Sequence, residues 1–357
     1  MNAAYIESMM RKVLITGAAG FIGSCLSEHL FRQGYDVVGC DIYNFRNQFF
    51  DVGDSHHLRL QKLRYDRIAH FLKKNQIEYH SIDLSDHDAV LRLFKQVQPE
   101  VVVHLAAQAG VRHSVKAPMD FVKSNLNGFA NVLEACKQFQ VEEFLYASSS
   151  SVYGARTDAP FNETDRCETP ESFYAATKKA NELMAHSYAH MFGLPSTGLR
   201  FFTVYGPWGR PDMAMWLFAD AILKGEPITL FNHGKMRRDF TYVDDIVESI
   251  ERLVPTIAQP APDWNGAHPD PASSMAPHRL YNIGNNSPVE LMHLVETMEN
   301  ALGMKAKKIL APIETGDVPE TYADVDALTE AVNFRPATPL AVGVGRFIDW
   351  YRAYTNR

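Results

Sequence analysis

Thirty residues near the start of the chain restrict its fold more than any other feature. Lys12 to Thr16 (KVLIT) is a short apolar run, Gly17-Ala18-Ala19-Gly20-Phe21-Ile22-Gly23 spaces three glycines three residues apart, and Asp36 to Asp41 (DVVGCD) is a second apolar run ending in an acid. Between them, apolar residues at 21, 22, 26, 30 and 31 keep a helical period that stops at Gly34. Continuous apolar runs suit strands buried on both faces. The segment therefore predicts a strand, a glycine turn, a helix and a second strand, which is the size of one βαβ unit.

The alternation continues down the chain. Strands are predicted at Gln76–Ile82, Val101–Leu105 and Glu143–Ala147, and helices at Asp86–Gln96, Pro118–Phe139 and Tyr174–Met191. Repeated βα units imply a doubly wound parallel sheet covered by helices on both faces. After about residue 200 the elements shorten and Gly/Pro-rich turns multiply, with helical patterns returning at Val289–Leu302 and Val342–Tyr354. Val254 to Arg279 holds six prolines without periodicity and is expected to be an exposed excursion. The expected division is a cofactor-binding domain over 10–199, to which 239–255 returns, and a smaller C-terminal α/β substrate domain over 200–357.

Composition narrows the partners. The chain's 357 residues carry 35 basic and 42 acidic side chains, a net charge of −7. A binder of nucleic acid or of an anionic membrane needs a basic surface to neutralise phosphates, so neither is expected. No apolar run approaches the roughly 20 residues that span a bilayer, and Met1 to Met10 lacks the basic start and apolar centre of a signal peptide. A soluble, cytoplasmic protein is expected. Cys25, Cys40, Cys136 and Cys167 form no CxxC pair and the 14 histidines show no HExxH spacing. No metal site is expected, and His56-His57 read as solvated loop residues.

Two constellations carry chemistry. The glycine turn lets the backbone approach a pyrophosphate, with the helix N-terminus supplying amides and a favourable dipole; a tight turn alone also accounts for three glycines. Asp41 ends the second strand, where a carboxylate accepts from both ribose hydroxyls of an adenosine and repels a 2′-phosphate, favouring NAD over NADP; a turn cap is its alternative role. The second is Tyr174-Ala175-Ala176-Thr177-Lys178. Four residues apart on a helix, phenol and ammonium face one site, and a nearby cation lowers a phenol's pKa toward a usable base. This pair lies 25 residues after Ser149, within Ser148-Ser149-Ser150-Ser151 at the end of a strand. YxxxK alone is common on helices; the ordered set of glycine turn, acidic strand end, serine run and YxxxK is not.

On these residues the chain resembles the extended short-chain dehydrogenase/reductases, the Rossmann-fold family of nucleotide-sugar epimerases and dehydratases, from Met10 onward. Val103-His104-Leu105-Ala106-Ala107 resembles the family's fourth-strand segment, and Asp83-Leu84 its adenine-contacting pair. Gln108 to Arg112, Leu199 to Met213, Asn232 to Tyr242 and Gly316 to Asp324 are similar to the UDP-glucuronate 4-epimerase branch. Two features depart from the pattern. Glu314 stands where galactose-type epimerases carry an arginine, leaving more of the diphosphate to Arg210 and Arg238, and Phe45 to Asp54 is longer than the family's loop.

The resemblance implies a retained NAD and inversion at C4 of a UDP-sugar through a 4-keto intermediate. It assigns catalysis to Tyr174, Lys178 and Ser149, with Lys178 depressing the tyrosine pKa. NAD would be bound by Gly17, Gly20, Phe21, Ile22, Gly23, Asp41, Asp83, Leu84, Ala106, Ala107, Tyr174, Lys178 and Phe201. The substrate would meet Arg112, Ser149, Ser150, Ser151, Thr203, Arg210, Asn232, Arg238 and Asp317. A homodimer is also implied. The alternatives are a UDP-glucuronate decarboxylase, a neutral UDP-hexose 4-epimerase and, from another class, a non-catalytic NAD sensor, which has no need of Ser149, Tyr174 and Lys178.

Overall fold

β1 (Lys12–Thr16), β2 (Asp36–Asp41), β3 (Glu78–Ser81), β4 (Val101–His104), β5 (Glu143–Ala147) and β6 (Ser196–Phe201) join a seventh strand, His278–Ile283, in one sheet. The computed structural model describes residues 11–42, 55–313 and 318–356, so Phe45 to Asp54, Glu314 and Asp317 lie outside the described residues. The strand order is His278–Ile283, β6, β5, β4, β1, β2, β3, with every neighbouring pair parallel. The order reverses between β1 and β4, and such a switch point opens a crevice at the carboxyl ends of the strands.

The β-branched runs explain why these strands are central. Val13, Ile15, Val101 and Val103 are fully buried in one apolar cluster with Leu26 and Leu30 of the helix Phe21–Arg32, and each such side chain contributes roughly 1.5–3 kcal/mol when removed from water. The helix Val243–Leu253 adds Ile246 and Ile250 to the same cluster. The four cysteines are free, three buried and Cys25 partly so. No helix among the described residues is long and apolar enough to cross a membrane.

Beyond β6 the chain builds two small sheets. Thr203–Tyr205, Arg237–Tyr242 and Pro288–Glu290 form one, and Pro227–Leu230 with Lys307–Leu310 the other. The helices Ala214–Lys224, Leu291–Leu302 and Leu340–Thr355 pack their apolar sides together in a second cluster.

Two segments differ from the sequence reading. The helix expected over Pro118–Phe139 is broken into Pro118–Phe121, a π-helical turn Val122–Asn127, and Gly128–Gln138. The turn presents Asn125, which accepts from the Gln108 amide at 2.8 Å and donates to the Gln108 carbonyl at 3.0 Å. The excursion Val254–Arg279 is anchored at both ends. Ala258, Ser274 and Ala276 are buried, and the Ala258 amide donates to Glu143 at 2.8 Å. Polar anchors of this kind leave no periodic signature.

Candidate active site

The glycine turn sits at the end of β1, against the loop that follows β4. Gly17 has φ +74°, and a Cβ there would fall 2.7 Å from the Ala106 nitrogen; a Cβ on Gly23 would fall 2.2 Å from the Gly17 carbonyl oxygen. Only glycine permits this curl. No side chain caps the helix Phe21–Arg32 that follows, so its first amides and the positive end of its dipole face the crevice. Asp41, at the end of β2, accepts from the Ala19 amide at 3.1 Å. Thr16 accepts from the Ala106 amide at 3.2 Å and bonds His104 Nδ1 at 2.9 Å. Burial pushes His104 down to about 3, so it is neutral at pH 7. Ala107 follows Ala106 in that loop, and Phe201 lies buried at the end of β6. A cradle that a Cβ would fill, an uncapped helix start and a carboxylate at the second strand end together fit a dinucleotide.

Asp83 is held by Ser85, whose amide and hydroxyl both donate to Oδ1, and it pairs with Lys123 at 2.8 Å. Leu84 is partly buried beside it, and its carbonyl accepts from Asn131 at 2.9 Å.

The helix Phe173–Phe192 delivers Tyr174 and Lys178 to the end of β5. Ser172 caps it by accepting from the Ala175 amide at 3.1 Å. Asn125 fastens it to the β4 loop, donating to Thr177 at 3.0 Å while its own carbonyl accepts from Asn181 at 2.7 Å. The Lys178 ammonium donates to the Ala147 carbonyl at 2.8 Å, and burial lowers it to about 8. Burial raises the Tyr174 phenol; a hydrogen bond with Ser149 and the charge of Arg210 pull it back without reversing the shift. The charge that lowers the phenol here is that of Arg210, while the Lys178 ammonium, expected to do so, donates one of its hydrogens to the Ala147 carbonyl.

The serine run divides by role. Ser148 is buried and donates to Glu182 at 2.7 Å, so its hydroxyl belongs to the framework. Ser149 accepts from the Ser151 amide at 3.2 Å and starts the short turn Ser150–Tyr153. Ser150 and Ser151 are partly buried, as is Thr203, which opens the strand paired with Phe240.

Arg210 binds Asp212 through Nε at 3.0 Å and through Nη2, and reaches the Ala109 carbonyl at 3.5 Å. Arg238 donates to the Pro319 carbonyl at 3.1 Å, which brings it beside the segment that follows Asp317. The Arg112 guanidinium lies 4.8 Å from the Phe231 ring centre, next to Asn232, whose backbone is left-handed at φ +49°. His29, Glu248 and Glu251 bring ligand-type atoms within 4.8 Å of one another, two turns along the helix from the glycine turn, where Glu248 is paired with Arg252.

Sequence reasoning missed the ionic network beneath the serines. Arg200 and Glu182 are both buried and joined by two hydrogen bonds, and Arg200 also lies 4.8 Å from the Tyr153 ring centre. Signals existed: an arginine between Leu199 and Phe201, both apolar, requires a counter-ion once buried, and Glu182 follows Lys178 by four residues on one helix face. Arg67 and Asn125 left no comparable trace.

Comparison with known proteins points to one family. The NAD dependent epimerase/dehydratase family matches residues 13–265. Protein CapI of Staphylococcus aureus is 52% identical over 346 residues, covering 97% of this chain and 100% of that one. A probable UDP-glucuronate 4-epimerase of Rhizobium meliloti is 44% identical over 354 residues, covering 97% and 99%. Among solved structures, the UDP-glucuronic acid 4-epimerase of Bacillus cereus, in complex with UDP-glucuronic acid and NAD, superposes with a TM-score of 0.81 at 29% identity, covering 96% of this chain and 99% of that one.

Proposed function

The chain belongs to the NAD dependent epimerase/dehydratase family, and from that premise we propose that it interconverts UDP-glucuronic and UDP-galacturonic acid by inversion at C4. The observation that carries the reading is the meeting of Tyr174, Ser149 and Lys178 at the end of β5, across from a glycine turn built for a dinucleotide. NAD would be held by Gly17, Gly20, Gly23 and the helix start, with Asp41 at its ribose. When bound, it supplies the hydride acceptor and donor at C4 and, oxidised, a positive ring that favours a phenolate nearby.

The chain's own residues handle the proton and the geometry. Tyr174 takes the C4 hydroxyl proton, Ser149 hydrogen-bonds the same oxygen, and Lys178 fixes the ribose side of the cofactor site. The 4-keto sugar then turns its other face to the cofactor, and Tyr174 returns the proton. Arg210 and Arg238 bind the diphosphate, because guanidinium forks suit phosphate oxygens, Arg210 exchanging its contact with Asp212 for the ligand. Arg112, Asn232 and Asp317 serve the sugar-nucleotide end.

A glucuronate substrate adds a constraint. Its 4-keto form is a β-keto acid, which loses CO2 when the carboxylate bond aligns with the carbonyl π system. Ser150, Ser151 and Thr203 supply small hydroxyl donors that hold the carboxylate out of alignment and leave room for rotation. A homodimer completes the reading. Val115, Met119 and Leu183 are 72%, 70% and 61% exposed on adjacent helices, an apolar face suited to a second copy.

The test is to incubate the purified protein, without added NAD, with UDP-glucuronic acid and resolve the products by NMR. UDP-galacturonic acid without CO2 is the expected result. UDP-xylose or a 4-keto pentose would make the protein a decarboxylase and remove the clamp.

A further inference from the structure

Arg67 ends the helix Ser55–Arg67 and is 1% exposed. Among the described residues its hydrogen bonds all go to backbone carbonyls. Nε and Nη2 reach Trp208 at 3.1 and 2.5 Å, Nη2 also reaches Gly209 at 3.3 Å, and Nη1 reaches Ala19 at 3.3 Å. Burying a guanidinium against neutral carbonyls is costly, so the contacts it makes there need an account.

Both ends of this bridge are functional elements. Ala19 lies inside the glycine turn, and its amide donates to Asp41, so the peptide groups on its two sides are tied to Asp41 and Arg67. Trp208 stands two residues before Arg210 and has φ +65°, a conformation that a bulky residue keeps only when its surroundings over-determine it. Its ring is packed among His70, Phe71, Trp350 and Tyr354 at centroid distances of 5.0 to 5.5 Å. Arg67 grips its carbonyl with two nitrogens.

We propose that Arg67 is a positioning residue that locks the strained Trp208–Arg210 turn to the glycine turn, holding the Arg210 guanidinium where it meets the substrate diphosphate. This rests on the reading of Arg210 as a diphosphate ligand. The fork is what the role requires, since one planar group spans carbonyls on two segments, whereas an ammonium presents its three donors from a single atom.

A double-mutant cycle read by calorimetric titration of UDP into the cofactor-retaining enzyme tests it. Arg67→Lys keeps the buried charge and loses the fork; UDP affinity should fall about tenfold, the worth of one charge-assisted hydrogen bond. Combined with Arg210→Gln it should cost no more than Arg210→Gln alone, because Arg67 acts through Arg210. Wild-type affinity in Arg67→Lys, or losses that simply add, would overturn the proposal, since a purely structural role lowers the unfolding midpoint without that non-additivity. Wild-type affinity in Arg210→Gln alone would remove the underlying reading of Arg210, and the proposal with it. Arg67→Gln, which retains a donor for one carbonyl, serves the same cycle should the lysine variant not fold.

Discussion

Glu182 grips Arg200 with both carboxylate oxygens, at 2.9 and 3.0 Å, in the interior between the helix Phe173–Phe192 and β6. Oε1 of the same carboxylate accepts from Ser148 and Oε2 from Lys179. Glu182 thereby joins the helix carrying Tyr174 and Lys178 to β6 through Arg200 and to the serine run after β5 through Ser148.

Removing one partner leaves the other charge buried and uncompensated, which typically costs about 3–5 kcal/mol. Glu182→Ala should lower the unfolding free energy by that order, read by urea titration. Burial opposes ionisation of Glu182, but the Arg200 charge and fork outweigh it and hold the carboxyl at about 2. Its folded value lies below the ordinary one, so its contribution is present above about pH 4.5 and lost as pH falls through about 2. A denaturation profile of Glu182→Ala that parallels the wild type below pH 4 would contradict this.

Three other buried carboxyls act in the opposite sense. Burial raises Glu143 and Glu163 to about 7 and Asp239 to about 6. Their folded values exceed the unfolded ones, so the folded state binds more protons between about pH 4 and 7. Their stabilisation is present at the acid end of that window and lost as pH rises through it. Glu143 accepts from the Ala258 amide and the Thr197 hydroxyl; a glutamine accepts from the amide through Oε1 and donates through Nε2 to the Thr197 oxygen once that hydroxyl rotates. Glu143→Gln should be close to neutral at pH 5 and stabilising at pH 8, measured by thermal unfolding at the two values.

Tyr174→Phe removes the proposed base and should lower kcat by about 10²–10⁴ while the purified protein keeps its bound NAD. A subtler variant probes the tuning. The Ser149 hydrogen bond and the Arg210 charge both lower a phenol that burial has raised. A base works deprotonated, so activity rises with pH through the phenol's pKa. Ser149→Ala should therefore move the acid limb of the pH–rate profile to higher pH, and Arg210→Gln should move it the same way. An unmoved limb in both would place the titrating group elsewhere.

The carboxylate clamp has its own readout. A hydrogen bond to a charged group is worth roughly 1.5–3 kcal/mol, so Ser150→Ala or Thr203→Ala should raise the pentose released per turnover about tenfold or more. Absence of extra CO2 from both variants would take these residues out of the clamp.

The layered βα architecture was legible in the residues alone. The reason is local: apolar runs, the 3.6-residue period and a glycine turn are set by neighbours within a few residues, and they recur intact as β1, the helix Phe21–Arg32 and β2. Tertiary structure alone decided what the side chains touch. Lys178 lies on the same helix face as Tyr174, yet its ammonium donates a hydrogen bond to the Ala147 carbonyl because β5 ends there. Ser148 belongs to the framework because Glu182 reaches it from another element. Asn125 and Arg67 bond backbone groups 17 to 142 residues away, and such contacts leave no period in the sequence, because a backbone carbonyl is available from any residue type.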